Sequence, residues 1–444
     1  MKPYPNYKPS GVPWLGEVPA HWVLKRLRDC IEGCSNGVWG DDPDGEDDDI
    51  PVIRVADFDR ERRQVVEYGT VRKVGLSQRH GRTLVPGDLL IEKSGGGDQQ
   101  PVGMVVSYYG PEGAVCSNFV GRMPLRDGVA SRYLVYLHAH LYASRVTNIS
   151  IKQTTGIQNL DAIAYLSETC YLPPADEQQD IADYLDSETT RINELILEKE
   201  SLVRLLREHR QGITCDVVIR GLNRRVAVRE VGRGFGSIPS HWRMIPLKRF
   251  ARTTGGHTPS TDNPAYWTGE MPWVSPKDMK RPELSDSIDH ISDAAVSECG
   301  LSVISPGATL VVVRGMILAH SFPVAQNLVP VTINQDMKAI RPESDVLPEY
   351  LPCLLRGVTP IVLSLTEQSA HGTLALRTEK FFGEALPVPP LDEQLEIINH
   401  LERELEKIDS LIAHTTEEIA LLNELRAATI ADAVLGRVNI ATNN

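Results

Sequence analysis

The sequence predicts a mixed α/β (α+β) chain made of two copies of one unit, each a sheet-bearing globular part followed by a long helix. Three observations carry this expectation. LPPADEQQDI at 172–181 returns as VPPLDEQLEI at 388–397. The offset of 216 then pairs Ile181 with Ile397, Leu185 with Leu401, Ile192 with Ile408, Arg210 with Arg426 and Val218 with Val434, without a gap. Upstream, VPAHW at 18–22 returns as IPSHW at 238–242, and VPGDLL at 85–90 as SPGATL at 305–310, both at an offset of 220. Self-similarity at a fixed period marks an internal repeat. Chance likeness between two helices does not produce the His-Trp and Pro-Gly pairs.

In the globular parts, short β-branched runs alternate with Gly- and Pro-rich turns, the pattern of strands. Examples are IPVIRVADF (50–58), GDLLIEKS (87–94), GMVVSYY (103–109) and TLVVVRGM (309–316). Helical patches such as ASRYLVYLHAHLYASR (130–145) are fewer. Each part reads as a mixed domain with a curved sheet.

Both long helices follow a Pro pair. Asp176 and Asp392 suit the N-cap, and Glu177 and Glu393 place negative charge at the positive end of the helix dipole. Leu185, Glu188, Ile192, Leu195, Lys199, Leu202, Leu206, His209 and Ile213 recur at alternating spacings of three and four, a heptad seam. Ile398, Leu401, Leu405, Ile408, Leu411, Thr415, Ile419, Leu422 and Leu425 give the second stripe. Gly221 and Gly436 are natural stops. Neither stripe can be hidden by its own helix. The two are expected to pair as an antiparallel coiled coil, a pseudo-two-fold object made by one chain. Leu185, Leu195, Leu206, Leu401, Leu411 and Leu422 would carry the pairing, with Glu177, Gln178, Glu393 and Gln394 left for docking a partner.

The net charge of −13 is unevenly placed. Residues 176–226 hold 11 acids against 8 bases and residues 391–440 hold 11 against 4, so the helices carry −10 of it. The globular parts are close to neutral and can hold a local basic face, so a nucleic-acid partner is not excluded. The N-terminus has no apolar signal-peptide core, and no window is apolar enough to span a bilayer. Seven scattered cysteines and a lone Cys30/Cys34 pair point to a reduced, cytoplasmic chain without a zinc site. The acidic loop DDPDGEDDD (41–49) has no assigned role.

Motifs for catalysis fail on inspection. DNPAYW (262–267) lacks the second Pro of an adenine-methyltransferase loop. GRGFG (232–236) does not lead into a helix, and KSGGG (93–97) has its Lys and Ser on the wrong side of the glycines for a phosphate-binding loop. No metal-ligand spacing occurs. The polar loops are more informative. EKSGGGDQQ (92–100) offers Lys93, Ser94, Gln99 and Gln100, and SIKQTTGIQN (150–159) offers Lys152, Gln153, Thr154 and Thr155. The second unit offers Ser275, Lys277, Arg314, Gln335, Lys338, Gln368, Ser369 and His371. Gln, Arg and Lys can read base edges and Ser/Thr can hold phosphates. Any one such loop could equally be an ordinary polar surface; their recurrence in both units favours binding.

The chain resembles the specificity subunit of type I restriction-modification enzymes. The resemblance rests on the two P-P-x-D-E-Q starts (173–178 and 389–394), TPSTDNPAYW…MPWVSPKDM (258–279), VVVRGMILAHSFPVA…TINQDMK (311–338) and QSAHGT (368–373). NGVWG…IPVIRVADF (36–58) and SIKQTTGIQNLD (150–161) are also similar. It implies a first target recognition domain at 1–173, a spacer helix at 174–226, a second recognition domain at 227–389 and a C-terminal spacer helix at 390–444. It implies a non-catalytic subunit reading a bipartite, asymmetric site on double-stranded DNA. Two methyltransferase subunits would dock on the spacers, with restriction subunits outside. S-adenosylmethionine, ATP and Mg2+ would be used by those partners, with no cofactor in this chain. The specificity subunit of a bifunctional type II nuclease-methyltransferase has the same pattern. A coiled-coil adaptor without a DNA role, and a self-sufficient methyltransferase, are the alternatives from other classes.

Overall fold

The computed structural model describes residues 2–440 apart from 13, 98, 155, 233, 344 and 369–371. The chain divides into two compact units. One comprises residues 1–200 and 416–444, the other residues 201–415. Each unit therefore takes part of both long helices, Ala175–Arg220 and Leu391–Val434.

The first unit holds a six-stranded sheet in the order Ser35–Asn36, Val120–Met123, Leu89–Glu92, Val105–Ser107, Gln64–Val65, Phe58–Asp59. Its one parallel pairing joins Ser107 to Gln64. A three-stranded sheet adds a second parallel pair, Val115–Cys116 on Asp49–Ile53. Helix Ser131–Ala143 covers the core through Tyr133, Leu134, Tyr136, Leu137 and Leu141. The second unit repeats this plan. Its five-stranded sheet runs Ala251–Gly255, Met337–Pro342, Thr309–Val312, Val324–Asn327, Glu283–Leu284, with the last pair parallel. Thr332–Ile333 lies parallel to Met271–Val274, as Val115–Cys116 does to Asp49–Ile53. Gly37 and Gly256 sit at the same place in this plan. A Cβ on Gly37 would lie 2.0 Å from the Cys116 carbonyl, and one on Gly256 2.1 Å from those of Ile333 and Asn334. Only glycine allows the backbones to approach that closely.

The repeated motifs meet in each unit. Trp22 and Trp242 are each 1% exposed. Trp22 Nε1 donates to Glu177 at 2.9 Å, and Trp242 Nε1 to Glu393 at 2.9 Å. His21 lies 2.7 Å from Glu177, and His241 2.5 Å from Glu393. The following glutamines are also matched. Gln178 accepts from Ala130 N and donates to the Pro173 and Gly128 carbonyls. Gln394 accepts from Leu347 N and donates to the Pro389 and Asp345 carbonyls. The helix ends close on the same tryptophans. Gly436, at φ +68°, would place a Cβ 2.4 Å from Pro19 and 3.1 Å from the Trp22 ring; Gly221, also at +68°, would place one 2.9 Å from Trp242. Within each unit the start of one long helix and the end of the other thus rest on one His-Trp motif, which makes their local pairing antiparallel.

Two expectations about these helix starts are corrected. The helices begin at Ala175 and Leu391, so Asp176 and Asp392 lie in the first turn rather than at the N-cap. Their carboxylates still face the positive end of the dipole. Gln178 and Gln394 are 2% and 0% exposed with amides committed to backbone, and Glu177 is held by His21, Trp22 and the Tyr4 hydroxyl. These side chains fasten helix to domain and leave no free amide for a partner.

The heptad seam is also adjusted. In the first unit Ile192 and Ile196 are buried, Leu185 is buried, and Leu195 is half-buried. Arg426 bonds Asn193, and Lys199 meets Glu418 at 2.7 Å. In the second unit Val203, Leu401 and Ile408 are buried, while Leu411 is 52% exposed and does not serve the seam. Arg210 meets Asp409 there at 2.8 Å. Leu206 and Leu422 are half-buried. Over six turns a 3.6-residue helix drifts from a 3.5-residue pattern, and Ile192, Ile196 and Val203 follow the drift where Leu195 and Leu202 do not.

Candidate nucleic-acid interface

Two loops that lie far apart in sequence come together in the first unit. Strand Ser94–Gly95 pairs with Ile157–Leu160, which pairs in turn with Ile151–Thr154. The register sets Ser94 opposite Asn159 and Gly95 opposite Gln158, with Lys152 and Gln153 across from the same two residues. Ser94 Oγ donates to Asn159 Oδ1 at 2.6 Å. Lys93 reaches Asn36, and Lys152 pairs with Asp161 at 2.7 Å, a bond that lowers the Asp161 carboxyl below its usual range. Lys152, Gln153, Gln99 and Gln100 are exposed. This is a small edge-on platform of amides and cations on a glycine-rich turn, suited to base edges and phosphates. Thr155 lies outside the described residues, and so does the side chain of Thr154.

The second unit builds the same platform with other side chains. Leu376 N donates to the Val313 carbonyl at 2.8 Å, as Leu160 N does to Lys93 at 2.8 Å. Arg314 bridges to Ala375 on the hairpin Thr366–Gln368 and Leu374–Leu376, placing it where Ser94 stands in the first unit. Its guanidinium lies 3.7 Å from Asp336 and is exposed. Gln335 is exposed and bonded to Thr258; Gln368 is exposed at the hairpin end. Lys277 is exposed and pairs with Asp289 at 2.6 Å, which raises its ammonium pKa. Lys338 crosses the strand opposite Gly255. Ser275 is corrected: it is 5% exposed, and its N–H and hydroxyl both go to Asp278 at 2.8 and 2.9 Å, so it caps a turn. Ser369 and His371 lie outside the described residues.

Trp39 and Arg54 of the NGVWG…IPVIRVADF stretch (36–58), with Asn118 and Phe119, border the first platform, and none of them is among the residues that the polar loops offer. They line a cavity of about 490 Å³ together with Glu92, Ser94 and Ser117. A signal was available in the repeat, because Asn118 and Phe119 fall where Gln335 and Asp336 stand in the second unit. The acidic loop has a local explanation. Asp42 pairs with Arg72, Asp44 with Lys73 and Asp48 with Arg79 at 3.0 Å, so it folds back on strand Val71–Lys73. Among the described residues no three His, Cys, Asp or Glu side chains converge on a metal position, and no helix is long and apolar enough to cross a membrane.

Residues 239–421 match the family model for the type I restriction modification DNA specificity domain. The chain is 34% identical over 181 residues to the type I restriction enzyme EcoR124I/EcoR124II specificity subunit of Escherichia coli, covering 40% of this chain and 44% of that protein. It is 30% identical over 194 residues to the MjaIX specificity subunit of Methanocaldococcus jannaschii, 43% of each. The matched stretch spans about half the length, or less, of these relatives. Among solved structures, one chain from work on complex assembly and conformational transition of the type I R-M system aligns with a TM-score of 0.71 at 16% identity, covering 95% of this chain and 99% of that one. The HsdS subunit of Thermoanaerobacter tengcongensis aligns with a TM-score of 0.51 at 16% identity, covering 95% and 98%. At such identity these likenesses show the fold.

Proposed function

We propose that the whole chain is the DNA-reading specificity subunit of a type I restriction-modification complex, a reading supported by the match of residues 239–421 to the type I restriction modification DNA specificity domain. The first unit reads one half of a bipartite site on double-stranded DNA and the second reads the other. One observation carries the reading: a single hydrogen-bonded frame, anchored at Leu160–Lys93 and Leu376–Val313, presents Ser94, Asn159 and Gln153 in one unit and Arg314, Gln335 and Gln368 in the other. Equal frames with unequal side chains suit two unlike half-sites. Arg is the usual partner of guanine O6/N7 and Gln of adenine N6/N7.

Two methyltransferase subunits dock on the helical parts, with restriction subunits outside them. The duplicated Glu–His–Trp fastening gives each unit the same helix geometry, so two copies of one partner find two like surfaces. The chain itself does no chemistry; S-adenosylmethionine, ATP and Mg2+ serve the partners, and the complex works in the cytoplasm. The half-sites are spaced by about one turn of duplex, ~34–36 Å.

Mapping methylated adenines in DNA from cells carrying the chain with its methyltransferase tests this. The expected result is one bipartite, asymmetric motif that disappears when the gene for this chain is deleted. A methylation pattern indifferent to the deletion contradicts it.

A further inference from the structure

The cavity beside the first platform differs in kind from the rest of that surface. Trp39 and Phe119 both line it and are 37% and 57% exposed, so two aromatic rings face one cavity. Trp39 is pre-set: the Arg72 guanidinium lies 4.9 Å from its ring centroid and is itself paired with Asp42. Arg54 is fixed by two bonds to Asp57, at 2.9 and 3.3 Å. The cavity's two buried lining residues are polar. Glu92 is 2% exposed, takes a 3.1 Å bond from Arg60 on Oε2, and has Oε1 facing the Gly95 turn. Burial raises the Glu92 carboxyl above its ordinary range against the pull of Arg60. Ser117 is 2% exposed, and its hydroxyl has no hydrogen-bond partner in the protein. A buried polar atom left without a partner is costly unless something satisfies it. At about 490 Å³ the cavity has room for a nucleotide and opens beside Ser94 and Gly95.

We propose that this cavity takes one nucleobase of the half-site in an unstacked, extrahelical position, with its face on Trp39 and Phe119 and its N–H edge toward Glu92. The inference rests on the DNA-reading function above. Aromatic faces hold bases of any sequence, and a buried carboxylate selects a base edge that donates, as adenine, cytosine and guanine do. The second unit has Thr258, Gln335 and Asp336 around the corresponding place, so one unit reads by extrusion and the other by groove contact.

The test uses the full complex on its own site, with 2-aminopurine and permanganate reporting unstacking position by position. The methylated adenines, which the two methyltransferase subunits must extrude, are the internal references. An unstacked position distinct from every methylated adenine is expected in the first unit's half-site. Trp39→Ala should abolish it and weaken binding roughly tenfold to a hundredfold, while Trp39→Phe keeps it. Arg314→Ala should weaken binding yet retain the signal at saturation. Specific binding with every base but the methylated adenines stacked overturns the pocket and leaves the DNA-reading function standing; absence of specific binding overturns both. Titration of free deoxynucleoside monophosphates forms the second arm. Saturable, Trp39-dependent binding there without an unstacked base assigns the cavity to a free nucleotide and overturns the proposal.

Discussion

Glu177 sits at the centre of a fastening that no local pattern discloses. It accepts from Trp22, 155 residues earlier in the chain, and from Tyr4, while facing His21. From sequence it reads as a dipole-facing acid or a docking residue, because capping rules see only the nearest three or four positions. The clue lay in co-duplication: the His-Trp pair and the Pro-Pro-x-Asp-Glu-Gln run recur together. Glu177→Gln keeps the shape and removes the charge that its donors face. It should cost about 1–3 kcal/mol, read from urea unfolding of the full chain; an unchanged midpoint would count against the clamp. His138 is a second buried case. It is 1% exposed, its Nδ1 lies 2.6 Å from the Tyr165 hydroxyl, and burial lowers its pKa to about 3. The unfolded imidazole titrates near 6.5. With the folded pKa depressed, the contribution is present above pH 6.5 and is lost as pH falls from there toward 3. The thermal midpoint should drop more between pH 7.5 and 5 in the native chain than in His138→Gln. Parallel pH profiles would refute this.

The long helices were legible as elements and less so as faces. Their starts, stops and approximate lengths follow from Pro pairs, glycines and periodicity, and they run to 46 and 44 residues, roughly 69 and 66 Å at 1.5 Å per residue. The phase of the stripe was the weak point. Leu411 repeats Leu195 at the 216 offset yet is 52% exposed, whereas Ile408 is 7% exposed. Ile408→Asp should therefore destabilise the second unit by several kcal/mol, since it buries an unpaired carboxylate. Leu411→Asp should change stability by less than about 0.5 kcal/mol. The proposed docking of the methyltransferase adds a second readout: Leu411→Asp should reduce co-purification of the partner from a chain that remains folded. Equal losses of stability in the two variants would contradict the assignment of faces. The sheets tell a similar story. The strand runs at 87–94, 103–109 and 309–316 form strands, but strand order and the two parallel pairs per unit depend on long-range contacts that alternation cannot specify.

At the scale of the molecule, the repeat was the most informative sequence feature, because it fixed two units before any strand was placed. It also explains why the candidate site was half legible. Polar loops at matched positions point to Lys93, Ser94, Gln153 and Arg314; the fold sets the first three on one frame in the first unit and Arg314 on the matching frame of the second. Phe119, and Trp39 although it lies in the NGVWG stretch, were not legible as site residues, since an aromatic in a loop is indistinguishable from a core residue until its exposure is known. The uneven charge is consistent with the same division of labour. The helices carry most of the −13, and the acidic loop at 41–49 spends its charge on Arg72, Lys73 and Arg79. The central claim is that each unit reads its own half-site independently. Exchanging residues 230–388 for the matching region of a relative and sequencing the methylated adenines measures this directly. The account predicts that one half of the bipartite motif changes and the other keeps its letters; a change in both halves, or in neither, would contradict it.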